Sequence, residues 1–134
     1  MLETWRHGRV RVSLCMINYN GEAYLRGSLP AALRQSARFE EILLIDNGST
    51  DGSLELVTRE FPTVRVVRLG ENRGACGARN AGIRAAKTDL LLFLDNDVML
   101  LDGCVERLVR ALDAQPDAVI AAPSVMYAIW LTVE

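Results

Sequence analysis

Asp95-Asn96-Asp97 closes a run of five apolar residues, Leu90 to Leu94. Two carboxylates set two residues apart are costly to crowd together without a positive charge, because each opposes the other's ionisation. At the end of a strand, such a pair points to Mg²⁺ or Mn²⁺ held by Asp95 and Asp97 and shared with a phosphate. The plainer reading is a solvated loop leading into the next helix. Asp46 ends a second apolar run, Glu41 to Ile45, and opens Asp46-Asn47-Gly48-Ser49-Thr50-Asp51-Gly52-Ser53. That stretch is dense in turn formers and helix caps. Asp46 either accepts the N–H of a pyrimidine ring or serves the turn by bonding local backbone. Asn18-Tyr19-Asn20-Gly21 ends a third such run, beginning at Val10. Arg79 stands among small residues, where a guanidinium holds a phosphate, orients Asp46, or simply faces water.

These residues need a frame that gathers strand ends. Val10 to Ile17, Glu41 to Ile45, Val64 to Leu69 and Leu90 to Leu94 read as buried strands, with Ala118 to Ala122 a fifth. The fourth is expected to be buried on both faces. Between the strands lie helical patterns. Leu25, Leu29, Ala32 and Leu33 share one face, but Pro30 interrupts, so Ser28 is a candidate cap for a second, shorter helix. Leu54 to Glu60 is a short helix stopped by Pro62. Ala75 to Ala86 is rich in glycine and alanine, which suits close approach to a sheet or ligand. There Cys76 reads as a small packing residue. Asp102 is the expected cap of a helix over Val105 to Leu112, with Val105, Leu108, Val109 and Leu112 inward.

Strands alternating with helices imply an α/β fold, a mainly parallel sheet with right-handed crossovers and helices on both faces. All three polar clusters then share the carboxyl edge, where such sheets bind ligands. In the strand order 3-2-1-4, the ends of the second and fourth strands lie about 10 Å apart, twice the strand spacing. That span fits a nucleotide, with its base near Asp46, its diphosphate near Asp97, and Asp95 on ribose hydroxyls or a metal-bound water.

Composition narrows the classes. The chain has 134 residues, half of them hydrophobic, and a net charge of -2; its pI is near 5.5. That predicts one domain with a real core and no general field for nucleic acid. Cys15, Cys76 and Cys104 form no C-x-x-C pattern, which fits a reducing, cytoplasmic setting. The apolar runs are strand-sized, and no h-region of a signal peptide is seen. Residues 1–9 read as an N-terminal extension, in which Trp5 among arginines allows contact with the inner face of a membrane. His7 there is a bystander. Neither G-x-G-x-x-G after a first strand nor G-K-[ST] is present, which argues against a Rossmann dehydrogenase or a P-loop NTPase.

Four segments together resemble the nucleotide-binding half of a family 2 glycosyltransferase of the GT-A fold: Val12 to Asn20, Glu41 to Ser53, Asn72 to Ile83 and Leu92 to Asp97. The resemblance covers about residues 10 to 123. It implies that Asp46 contacts the nucleotide base, Asp97 the metal, Asp95 the ribose or metal, and Arg79 the nucleotide pocket. Asn18, Tyr19, Asn20, Asn47, Gly48 and Ser49 complete the expected nucleotide site. The Asn-Tyr-Asn turn is similar to that of rhamnosyltransferase-like members. The implied activity is inverting, metal-dependent transfer from a UDP or dTDP sugar to a saccharide or lipid-linked acceptor. Residues 10–134 would be the nucleotide-sugar-binding domain, without an acceptor half. After Asp97 the acids are Asp102, Glu106, Asp113, Asp117 and Glu134, and none resembles the family's catalytic base. The expectation is a fragment, a chain completed by self-association or a partner, or a non-catalytic nucleotide-binding or assembly module. A remote alternative rests on Asp95 to Val98, which also resembles the first motif of haloacid-dehalogenase-type phosphatases.

Overall fold

In the computed structural model, which describes residues 11–35 and 39–124, four strands alternate with four helices. The strands are β1 (Val12–Asn18), β2 (Phe39–Asp46), β3 (Arg65–Arg68) and β4 (Leu90–Asp95). The helices are α1 (Glu22–Leu33), α2 (Ser53–Glu60), α3 (Gly74–Ala85) and α4 (Cys104–Ala114). All pairings are parallel, in the order β3-β2-β1-β4. That is the order 3-2-1-4, in which the second and fourth strands flank the first.

Side-chain alternation along the strands sorts the core into two layers. Leu14, Met16, Ile42, Leu44 and Leu94 join Leu25, Leu29, Leu56, Val57 and Val105, so α1, α2 and α4 cover one face. Cys15, Ile17, Leu43 and Ile45 meet Ala78 and Ala81 on the other, under α3. The small residues of α3 have a clear role here. A Cβ on Gly82 would sit 3.3 Å from both Cys15 Sγ and Phe93 Cε1, tighter than most real contacts. Helix and sheet therefore approach as closely as a hydrogen atom permits.

Four expectations are revised. α1 runs unbroken through Pro30. Proline removes one donor there, and the acceptor it would have used belongs to the exposed Arg26, while Leu25, Leu29, Ala31 and Ala32 bury the opposite face. Ser28 caps nothing; its hydroxyl bonds back to the Tyr24 carbonyl at 3.3 Å. Asp102 does not cap α4. It lies 3.5 Å from Arg34, and Gly103 takes a left-handed turn at the helix start. Gln35 serves instead, accepting from Val105 N and donating to the Leu101 carbonyl, each at 3.1 Å.

The last two revisions concern the sheet's edge. β4 is the terminal strand among the described residues, so Leu90 to Phe93 are only half-buried and Leu94 alone is enclosed. Residues 118–122 form no strand, and Val119 and Ile120 are exposed. Pro116 and Pro123 bracket that apolar run, and an apolar run becomes a strand only with a ladder to join. Residues 1–10, with Trp5 and His7, and residues 125–134 lie outside the described residues, as do positions 36–38.

Candidate functional site at the carboxyl edge

The parallel register fixes the site. Asn18 at the end of β1 stands opposite Asp46 of β2, and Ile17 stands opposite Asp95 of β4. Asp46 and Asp95 therefore flank β1 at one edge. The three polar clusters expected to share that edge do share it.

Its floor is a closed hydrogen-bond system. Asn18 is fully buried and Asp46 is 2% exposed. Asn18 Nδ2 donates to Asp46 Oδ1 at 3.2 Å and to Ser49 Oγ at 3.0 Å, and its Oδ1 accepts from Asn96 Nδ2 at 2.8 Å. Asp46 Oδ2 accepts the Ser49 amide at 3.2 Å, so Asp46 does hold its local turn. Asn47 faces the other way. Its Oδ1 accepts from Arg73 N at 2.8 Å, and its Nδ2 donates to Asn72 Oδ1 at 3.0 Å. Gly48, at φ +81°, passes so near the Glu71 backbone that a Cβ would come within 2.7 Å of it. Only glycine meets both demands.

Asn20 ties the first turn to the second. It has φ +48°, and its Oδ1 accepts the Thr50 amide at 2.8 Å and the Asp51 amide at 3.3 Å. Asp51 in turn accepts the Glu22 and Ser53 amides, each at 3.0 Å, and the Ser53 hydroxyl. Burial pushes the Asp51 carboxyl up, but these donors outweigh it and hold its pKa below the ordinary aspartate value. Tyr19 is exposed beside this lattice.

The outer wall is more open. Asp95 and Asp97 are both exposed. Arg79 Nη2 lies 3.1 Å from Asp95 Oδ1, so the arginine of α3 reaches the D-x-D loop rather than Asp46. α3 starts beside the Asn47 loop, where Asn47 Nδ2 donates to the Gly74 carbonyl at 3.4 Å, and Asp46 is bonded to Asn18 and Ser49 instead. Asp97 has no hydrogen-bond or ion-pair partner among the described residues. Cys76 is exposed rather than packed, while the buried Cys15 thiol is pushed up to about 11, chiefly by burial.

Sequence reasoning missed two contributors. Asn96, between the two acids, carries the amide that joins the D-x-D loop to β1. Gly21, directly before α1, leaves room for that bond, since a Cβ there would collide with Asn96 Nδ2 and Asn18 Oδ1. A polar residue between two acids was the one available signal for Asn96.

A profile of glycosyl transferase family 2 matches residues 13–129. The chain belongs to that family. It is 35% identical over 99 residues to an uncharacterized glycosyltransferase of Haemophilus influenzae, covering 72% of this chain and 40% of that protein. It is 33% identical over 104 residues to the succinoglycan biosynthesis protein ExoO of Rhizobium meliloti, covering 77% and 30%. Among solved structures, S. aureus TarS 1-349 in complex with UDP-GlcNAc aligns with a TM-score of 0.67 at 24% identity, over 79% of this chain and 32% of that one. That likeness establishes the fold. The family 2 chain spans less than half the length of the curated relatives it matches. Family membership removes the dehalogenase-type phosphatase from consideration. No helix of the described residues is long and apolar enough to cross a membrane.

Among the described residues no group of three or more His, Cys, Asp or Glu side chains is placed to hold a metal. Asp95 and Asp97 alone do not make a closed cage. They do suit Mg²⁺ or Mn²⁺ of the kind held by one or two carboxylates and completed by phosphate oxygens and water.

Proposed function

We propose that this carboxyl edge binds the nucleoside diphosphate sugar donor for an inverting, metal-dependent sugar transfer, with residues 10–134 as the donor-binding half. The observation that carries the reading is the register placing Asp46 and Asp95 one strand to either side of β1. Asp46 uses two of its roughly four acceptor positions within the chain; it is 2% exposed, so a base N–H would reach the remaining positions only as the Ser49 turn gives way. Asn47, Gly48 and Ser49 shape the turn around the base, and the Asn18-Tyr19-Asn20 turn closes the nucleoside side. Asp97, with Asp95, would hold Mg²⁺ or Mn²⁺. Arg79 neutralises Asp95 when no cation is present and offers its charge to a phosphate once the cation takes that carboxylate.

A bound divalent ion would stabilise the charge of the departing diphosphate. The acceptor, a saccharide or lipid-linked hydroxyl, must lose its proton to a carboxylate base as it attacks. No acid after Asp97 matches the family motif for that base. The UDP and UDP-GlcNAc complexes of TarS favour a uridine donor, with dTDP the other candidate. The uncombined cysteines favour a cytoplasmic setting, at the inner face of the membrane if the acceptor is lipid-linked.

Calorimetry with UDP and dTDP tests the reading. Binding is expected with Mn²⁺ and is expected to weaken sharply in EDTA. Equal affinity in EDTA removes the metal assignment, and no binding of either nucleotide removes the donor site. With a UDP sugar, the 134-residue chain is expected to show slow hydrolysis at most, because positioning of acceptor, base and donor contributes effective molarities of about 10⁵–10⁸ M. It is also expected to self-associate over β4, Leu101, Val119 and Ile120, and light scattering reads that directly. Robust sugar transfer, or a clean monomer, counts against the donor-half assignment; tight binding with neither transfer nor hydrolysis favours a non-catalytic module.

A further inference from the structure

The two halves of the proposed site are joined by one buried amide. Asn18 was expected to touch the nucleotide, but it has no exposed surface. Its side chain is spent entirely on the chain itself: Nδ2 toward Asp46 and Ser49, and Oδ1 toward Asn96. The direction of this relay is set chemically. Asp46 Oδ1 accepts from Asn18 Nδ2 while its Oδ2 accepts the Ser49 amide, so Asn18 turns its NH₂ that way. The Asn18 carbonyl oxygen then faces β4, and it compels Asn96 to present its own NH₂. No other orientation of the two amides satisfies both ends, and unsatisfied buried polar groups are costly.

Space enforces the same arrangement. The Asn18–Asn96 bond passes directly beneath Gly21, where a Cβ would overlap both partners. The Ser49 hydroxyl that Asn18 reaches also accepts the Asn20 amide at 3.0 Å, so the β1 turn moves with the Asp46 turn. Asn96 stands between Asp95 and Asp97, so its bond to Asn18 anchors the loop that carries both carboxylates.

We propose that Asn18 is a positioning residue that couples the Asp46 side of the site to the Asp95–Asp97 side, so that nucleoside binding and divalent-ion binding strengthen each other through the protein. This rests on the donor-site reading above. A nucleoside N–H on Asp46 draws that carboxylate toward the ligand, Asn18 and then Asn96 follow through their bonds, and the shift reaches the loop that carries both acids. Linkage makes the effect reciprocal.

Uridine isolates this coupling, because it has no phosphate with which to touch a cation. Mn²⁺ affinity of the full chain is measured with and without saturating uridine, and again with UDP. In the unaltered chain uridine is expected to tighten Mn²⁺ binding by about 5-fold, the lower range of ordinary site-to-site coupling. Asn18→Ala and, separately, Asn96→Ala are expected to reduce the uridine effect to none, while UDP still enhances Mn²⁺ binding through its own diphosphate. The half-buried Asn96 breaks the relay from its outer end, so it carries the test if Asn18→Ala fails to fold. As a spectroscopic check, uridine is expected to shift the Asn96 side-chain amide signals in the unaltered chain and to leave them unmoved in Asn18→Ala. Uridine and Mn²⁺ that both bind without affecting each other, or a uridine effect that survives in Asn96→Ala, overturns the coupling alone. If neither UDP nor Mn²⁺ binds the unaltered chain, the donor-site reading falls and the coupling falls with it.

Discussion

At the amino end of the sheet, Glu41 is enclosed by donors that the chain itself supplies. Ser13 Oγ donates to it at 2.8 Å and the Lys87 amide at 2.9 Å, and Arg65 stands 3.3 Å from its second oxygen. Burial pushes this carboxyl up, yet those donors and the charges of Arg65 and Lys87 outweigh it, so its pKa lies below the ordinary value. At the carboxyl end, Asn18, Asp46 and Asn47 are buried more deeply still, but Asp95 and Asp97 are exposed, and Arg79 pairs with Asp95. Both ends bring acids to strand termini. They differ in where the compensating charge resides. An acid cluster whose donors are all built in is a structural joint, whereas one left with surplus negative charge is ready for a cation and a phosphate.

Breaking the open end is expected to have the largest effect. Asp97→Ala should abolish the Mn²⁺ enhancement of UDP binding and cost about 10–100-fold in affinity at saturating Mn²⁺, the worth of a charged hydrogen-bonded contact. Glu41→Gln, at the closed end, should leave UDP affinity unchanged. Comparable losses from the two substitutions, measured by calorimetry, would erase the distinction between the ends.

Asp46→Ala sharpens the contrast within the site. UDP affinity should fall by about 10-fold in EDTA, since a base contact does not need the ion, and by about 5-fold more with Mn²⁺, where the coupling through Asn18 is lost as well. Because Asn18 then loses its acceptor, the midpoint of urea unfolding should also fall, by about 1–3 kcal/mol of stability. Behaviour identical to Asp97→Ala would contradict separate base and diphosphate regions.

The smallest effect is acid sensitivity, and it involves both ends. Glu41 and Asp51 have folded pKa values depressed below their ordinary 4.5 and 3.8. The unfolded chain therefore binds more protons through that window, so their contribution is fully present above about pH 4.5 and is lost as pH falls through the lower folded values. Urea midpoints at pH 6 and pH 3 should show the decline, and Glu41→Gln or Asp51→Asn should each flatten it. An unchanged slope in both variants would show that other carboxylates carry the acid transition.

Much of this architecture is legible in one dimension because it depends on periodicity and punctuation. Apolar runs of strand length, each closed by a polar cluster, mark β1, β2 and β4, and alternation with helical patterns implies the parallel order. The convergence of Asp46, Asp95 and Asn18 at one edge follows from that order alone. Pairing among polar side chains does not. Asn18 and Asn96 are 78 residues apart, and nothing local to either announces the bond between them. Arg79 chose Asp95 over Asp46 because the position of α3 on the sheet sets which carboxylate its fork can reach. Gln35, not Asp102, caps α4 for the same reason, since a cap is any acceptor that tertiary packing brings to the helix start. The half-burial of β4 and the absence of a strand at residues 118–122 were likewise decided in three dimensions. Hydrophobicity says that a segment seeks cover, but only the assembled sheet determines whether a neighbour is there to provide it.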